Sequence, residues 1–219
     1  MPAWETLKNH QTHLIRKALE GSTFIAPTSA ELITALTGPD AQLLALPSGY
    51  VDVGLVSDDG AQFADDVESS DITSWGHVQP TRRDITSDVT TLTIVPQETN
   101  RWTTALYTGV DPDTITADAT SGEVKIAKPD RPSPRYYRVL TIGVDLSDAG
   151  EIYIARYLPR ASVTDKDDQA FQSSDDEALT WPVTLTGYLD SDAGYSECYF
   201  FGGPGWQALL SDMGFDGSS

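Results

Sequence analysis

The sequence predicts a mainly β fold, an antiparallel meander closed by a few helices. Three observations carry that prediction: strict two-residue alternation of apolar and polar positions in the carboxy-terminal half, turn-forming clusters between those runs, and helical periodicity confined to short stretches. The clearest strand is YYRVLTIGVDLS, in which Leu140, Ile142, Val144 and Leu146 alternate with Val139, Thr141, Gly143 and Asp145, so one face is expected to be a core face. A turn at Ser147 to Gly150 leads into EIYIARYLPR, where Ile152, Ile154 and Leu158 alternate with Tyr153, Ala155 and Tyr157. The two runs read as a hairpin. ALTWPVTLTGYLD, with Trp181, Val183, Leu185 and Leu189 on one side, and YSECYFF continue the meander.

Ahead of this region, YVDVGLVSDDG reads as a strand ending in an Asp-Asp-Gly turn at Asp58 to Gly60. Two helices interrupt the sheet. In ETNRWTTALYTG, Trp102, Ala105 and Leu106 share a face and Gly109 is the stop; in GPGWQALLSDMGF, Trp206, Leu209, Leu210 and Met213 fall at helical spacing, ended by Gly214. Both tryptophans are expected in the core. At the amino terminus Leu14, Ile15, Ala18 and Leu19 predict a short helix stopped by Gly21. The next segment, broken by Pro27, Gly38, Pro39 and Pro47, reads as an arm with a helical turn or two around Ala30 to Leu36. The expected division is residues 1–47 as helix and arm and 48–219 as the β domain.

The 219 residues suffice for one well-cored domain, and 39% hydrophobic residues argue against disorder. A formal net charge of -19, from 33 acidic against 14 basic residues, makes the subunit a poor candidate for holding DNA by phosphate neutralisation. One cysteine, Cys198, excludes an intrachain disulfide, and no run of about 18 apolar residues predicts a membrane span. A reducing cytoplasm fits this composition.

Catalytic chemistry finds little support. Only His10, His13 and His77 are available as imidazole bases, and neither a G-x-S-x-G elbow nor an HExxH pattern occurs. Two Asp-rich segments depart from an EF-hand loop at the turn glycine. In DPDTITADATSGE, Thr116 replaces the obligatory glycine, and in DKDDQAFQSSDDE, Ala170 does. FFGGPGW lacks the lysine of a phosphate loop and reads as a strand-to-helix turn. No cofactor or metal is implied.

The order of segments carries further than any motif. The RPSPRYYRVL run, IYIARYLPRA with its following VTDKDDQ, and the FGGPGW ending, set within about Ser48 to Phe215, resemble the major tail subunits of siphophages of actinobacteria. That resemblance implies a tail-tube fold, a β-sandwich or partial barrel with flanking α-helices. Its inner strands join a hexameric ring barrel, and the rings stack into the conduit for genome ejection. The implied partners are copies of the same chain, a tape-measure protein, a tail terminator and baseplate or distal tail proteins, with viral DNA passing through the lumen without specific binding. Assembly is expected in the host cytoplasm, with the virion tail as destination.

On this footing a strand pair around Thr81 to Pro96 and the strand Ala161 to Lys166 are the expected lumen or inter-subunit edges. Asp84, Asp88, Asp165, Asp167 and Asp168 are the candidate acids, and Arg82, Arg83, Arg135 and Arg138 the candidate counter-charges between subunits. Ser22 to Pro47 and Gln169 to Glu177 are the expected stacking segments. Two other readings compete: a tail-terminator or head-tail joining ring, and a carbohydrate-binding β-sandwich using exposed tyrosines and Trp75.

Overall fold

A computed structural model of the chain describes residues 4–131, 133–172 and 178–215. Its elements are α1 (Trp4–Leu7), β1 (Glu20–Pro27), β2 (Val51–Asp52), β3 (Gln62–Ile72), β4 (Arg82–Ile94), α2 (Arg101–Thr108), β5 (Tyr137–Ser147), β6 (Gly150–Asp165), β7 (Val183–Gly187), β8 (Cys198–Gly202), α3 (Pro204–Ala208) and α4 (Leu210–Met213). The strands form one sheet in the order β2-β1-β5-β6-β7-β4-β3, with β8 pairing to β6 off that path, and every pairing is antiparallel. This is the mainly β, antiparallel class that the alternation predicts.

The sheet curls around a first core. Ile25, Val53, Leu92, Ile94, Val139, Leu158, Val183 and Leu185 meet there from six parts of the chain, with Leu106 of α2 laid over them. A bridge between Val56 and Pro96 draws the ends of the curl together, giving a partial barrel. The opposite face of β5 and β6 holds a second core, in which Leu140, Ile142, Tyr153, Ala155 and Tyr157 pack against Ile33 and Leu36. Both faces of the β5–β6 hairpin are therefore buried at its centre, where one had been expected, because residues 28–50 cover the side that alternation alone assigns to solvent. The hairpin turn itself falls at Ser147 to Gly150 as predicted.

The amino-terminal expectations need correction. Leu14 to Leu19 do not form a helix: a 3-10 turn covers Thr12–Leu14, and the chain then runs extended into β1, which pairs with β5 over eight residues. Gly21 is no helix stop. A side chain there would run into the Ile142 carbonyl at 2.6 Å, so glycine permits close strand approach. Nor does Ala30 to Leu36 make a helical turn. Its apolar residues are held by burial in the second core.

The predicted helix after residue 100 is α2. Asn100 caps it, accepting from the Trp102 and Thr103 amides at 2.9 and 3.0 Å while the Thr103 hydroxyl accepts from the Asn100 amide, and Gly109 ends it in the left-handed conformation. The carboxy-terminal helical stretch is split into α3 and α4. Trp206 is half-buried rather than core, stacked on Phe201 with centroids 4.9 Å apart. FGGPGW is the expected strand-to-helix turn. A Cβ at Gly203 or Gly205 would collide with the Glu151 or Gly150 carbonyl, so the glycines let α3 sit against the β5–β6 turn.

Candidate functional site

β3 and β4 extend the sheet past the body of the molecule. The two strands pair from Gln62↔Thr93 to Ile72↔Arg82, with a register shift at Glu68/Ser69. All of β3 except Phe63 is exposed, and β4 becomes buried only from Thr90 onward. At the tip, the His77 amide donates to the Ser74 carbonyl at 3.1 Å, and Trp75 and Val78 are fully exposed. Its polar composition, QFADDVESSDI, hides β3 from a reading by apolar alternation. The detectable signal is the turn after it, with β4 returning in register.

An Arg156 joint fixes the base of this hairpin. The Arg156 guanidinium lies 4.1 Å from the Phe63 ring centroid and 4.6 Å from that of Tyr199, donates to Asp65 at 3.0 Å and pairs with Glu197. Thr90 donates to both carboxylates, at 2.8 Å to Asp65 and 3.0 Å to Glu197. Burial would lower the Arg156 pKa, but Glu197 and Asp65 overrule it and hold the guanidinium's pKa above its ordinary value. Residues from β3, β4, β6 and the start of β8 thus converge on one cation.

A second feature lies on the outer face of the curl. Leu92, Ile94, Val183 and Leu185 point into the first core, and the alternate positions on the same strands are threonines. Thr91 is opposite Thr186 and Thr93 opposite Thr184. The Thr93 and Thr184 hydroxyls are 2.8 Å apart, and those of Thr164 and Thr186 are 2.7 Å apart. This hydroxyl ladder crosses β6, β7 and β4 and continues by register onto Ala64, Asp66 and Glu68 of β3. Beyond the register shift at Glu68/Ser69, Asp84 and Arg82, opposite Ser70 and Ile72, take the ladder's side, so the cation that enters there is Arg82, paired with Asp84 at 2.9 Å; Arg83, opposite Asp71 and paired with it at 2.8 Å, takes the other side. The Arg83 guanidinium holds the Asp71 carboxyl below the usual range.

The candidate residues fall in four places. Asp88 stands on β4 by alternation with Leu92, on the face opposite the hydroxyl ladder, whereas Asp84 lies beyond the register shift, opposite Ser70 on the ladder's side, and is bound by Arg82 at 2.9 Å. Arg83 lies on the side opposite the ladder, with Asp71. Asp165, Asp167 and Asp168 are exposed where β6 ends; the Lys166 amide donates to Asp165 at 2.9 Å, and the Tyr107 hydroxyl donates to the Asp167 carbonyl at 3.1 Å. Arg135 pairs with Asp111 at 2.9 Å beside α2. Arg138, proposed as a counter-charge between subunits, is buried within the subunit. It donates to the carbonyls of Ala30, Thr28 and Pro159 and lies 3.7 Å from Asp190, so it clamps the 28–36 segment to the sheet. Of the Gln169 to Glu177 segment, residues 173–177 lie outside the described residues. The acidic strand β3 itself, with Asp65, Asp66, Glu68 and Asp71, was missed.

Several acids have local work. Asp52, Asp111, Asp118 and Asp190 each accept from a backbone amide two residues on, which stabilises turns and accounts for part of the excess of Asp over Glu. Among the described residues there is no group of three or more metal-ligating side chains, and no helix is long and apolar enough to cross a membrane.

The structure is an antiparallel partial barrel with a polar outer wall and a projecting strand pair whose end strand, β3, keeps one edge unpaired. Residues 8–200 match the family described as Phage tail tube protein, and the chain belongs to that family. Among solved structures it is similar to one described as the crystal structure of Hcp protein, with 11% identity over 82% of this chain and 97% of that one and a TM-score of 0.32. No curated protein matches it.

Proposed function

We propose that this chain is the non-catalytic major tail subunit of a siphophage of an actinobacterial host, assembled in the host cytoplasm. Six copies close into a ring, and rings stack into the tube through which the genome leaves. The observation that carries this reading is the hydroxyl ladder of β6, β7 and β4 running without a break onto the acidic outer face of β3. A wall of threonine hydroxyls and carboxylates offers duplex DNA no unpaired cation, so phosphates are repelled and the duplex slides. The unpaired edge of β3 supplies the other half. Left open it is a template for pairing, and a closed ring removes it.

On this reading the lumen acids are Asp66, Glu68 and Asp84, while Asp88 faces the neighbouring subunit. Residues 1–47 add contacts through the exposed Trp4, Leu7 and Ile15, while Glu20–Pro27 belong to the body of the sheet. A tape-measure protein sets the length, and terminator and baseplate or distal tail proteins close the ends.

Cryo-electron microscopy of the purified protein tests this. The expected result is hollow six-fold tubes with the β3–β4 hairpin in the inner wall and Thr91, Thr93 and Thr184 facing the lumen. Isolated rings that never stack would favour the terminator or joining role. A protein that stays monomeric at high concentration would overturn the assignment, and DNA retention at physiological ionic strength would overturn the repulsive lumen.

A further inference from the structure

At the end of the barrel remote from the β5–β6 turn, a cleft of about 470 Å³ opens between the C-terminus of α2, the loop before β5 and the end of β6. Its charged lining is wholly basic: Lys128, Arg135 and Lys166, set among the rings of Tyr136, Tyr137 and Tyr188, with no Asp or Glu among the described lining residues. In a chain with 33 acidic and 14 basic residues that local excess is unusual. Arg135 is neutralised by Asp111. Lys128 and Lys166 have no ion-pair partner among the described residues, and the Arg160 guanidinium behind them covers the Tyr136 ring at 4.1 Å.

Two partial accounts of the lysines are available within the subunit. Lys166 lies 5.9 Å from the Tyr107 ring centroid and near Gly109, where α2 ends with no basic residue in its own last turn. A helix C-terminus carries about half a negative charge, so it offsets part of one lysine and none of the other. Burial and the neighbouring Lys128 both pull the Lys166 pKa down, as when two like charges share a site with nothing between them. What fits between the two amines is an anion.

We infer that this cleft is a socket for carboxylate side chains of a second copy of this chain, a charged joint between subunits separate from the hydroxyl ladder and the free edge of β3. The inference rests on the tube reading. In a polymer of one acidic chain, the neighbour's carboxylates are anions held at fixed stoichiometry and high effective concentration. Such a contact is heterologous, socket to protrusion, which is the kind that propagates along a filament.

Zero-length carbodiimide crosslinking of tubes assembled from equal amounts of ¹⁴N- and ¹⁵N-labelled protein tests it directly. Mixed-isotope peptides joining Lys128 or Lys166 to an Asp or Glu are expected. The double variant Lys128→Glu/Lys166→Glu, shown folded by circular dichroism, should lower the polymerised fraction at fixed concentration about tenfold, while Lys128→Arg/Lys166→Arg retains assembly. If wild-type tubes form but these lysines give no crosslinks between copies, or the glutamate variant assembles like wild type, the socket is wrong and the tube reading stands. If the wild-type chain forms no polymer, the tube reading falls and takes the socket with it.

Discussion

β5–β6 and β3–β4 are both long antiparallel hairpins with a register shift, yet their side chains meet opposite surroundings. The first pairs Tyr137–Ser147 with Gly150–Asp165, carries core on both faces and is flanked by β1, β7 and β8. The second pairs Gln62–Ile72 with Arg82–Ile94 and is bare over most of its length, with β7 reaching only Thr91–Ile94. Identical backbone hydrogen bonding thus holds two elements of very different intrinsic stability, because burial supplies most of the stabilisation and a free two-strand ribbon is marginal in water.

Leu158→Ala should break the comparison on the scaffold side with the largest effect. Leu158 is wholly buried in the first core opposite Val139, and its loss should cost about 2–5 kcal/mol in chemical denaturation. A cost below 1 kcal/mol would mean that β5–β6 is not the scaffold.

Arg156→Ala tests the joint between the regions. Removing the guanidinium strands Glu197 and Asp65 and uncovers the Phe63 and Tyr199 rings, a loss of about 1–3 kcal/mol. Hydrogen exchange should quicken in residues 62–68 and 86–91 while amides of 139–146 stay protected. Uniform acceleration would show that the hairpin does not open as its own unit.

How far the sequence revealed this contrast depended on which residues carried the signal. β5, β6 and the β7 core positions announce themselves by alternation, and α2 by the spacing of Trp102, Ala105 and Leu106 and its stop at Gly109. β3 was silent because a strand exposed on both faces needs no apolar period; its ADDVESSD run resembles loop composition. The amino-terminal helix was misread because Leu14, Ile15, Ala18 and Leu19 fit a helical period while β1 is selected by long-range pairing with β5, which no local window contains. The threonine ladder became visible only once register set Thr91 against Thr186 and Thr93 against Thr184. The clamp role of Arg138 was equally hidden, since its partners are carbonyls 21 to 110 residues away.

A smaller effect should come from Asn100→Ala, which removes the cap of α2 while leaving Leu106 in place. Its amide side chain also donates to the Val53 carbonyl at 3.0 Å, tying α2 to the chain that follows β2. A loss of about 1 kcal/mol is expected, read as a lower denaturation midpoint with unchanged slope. No change would show that α2 is held by its apolar face alone.

The smallest effect on the isolated subunit should come from Val67→Asp, and it sharpens the comparison most. Val67 is 54% exposed on β3 and paired across the hairpin with Asp88. No apolar core is disturbed, so only a change of cross-strand pair is felt, within about 0.5–1 kcal/mol for two like charges directly opposite. If the hairpin is completed by a neighbour, the same substitution places an additional carboxylate in the joining surface and polymerisation fails while the melting curve of the monomer barely moves. Assembly that is unaffected would return β3–β4 to the status of an exposed ribbon. A monomer that unfolds would show that the hairpin supports the body, and the distinction between the two hairpins would be lost.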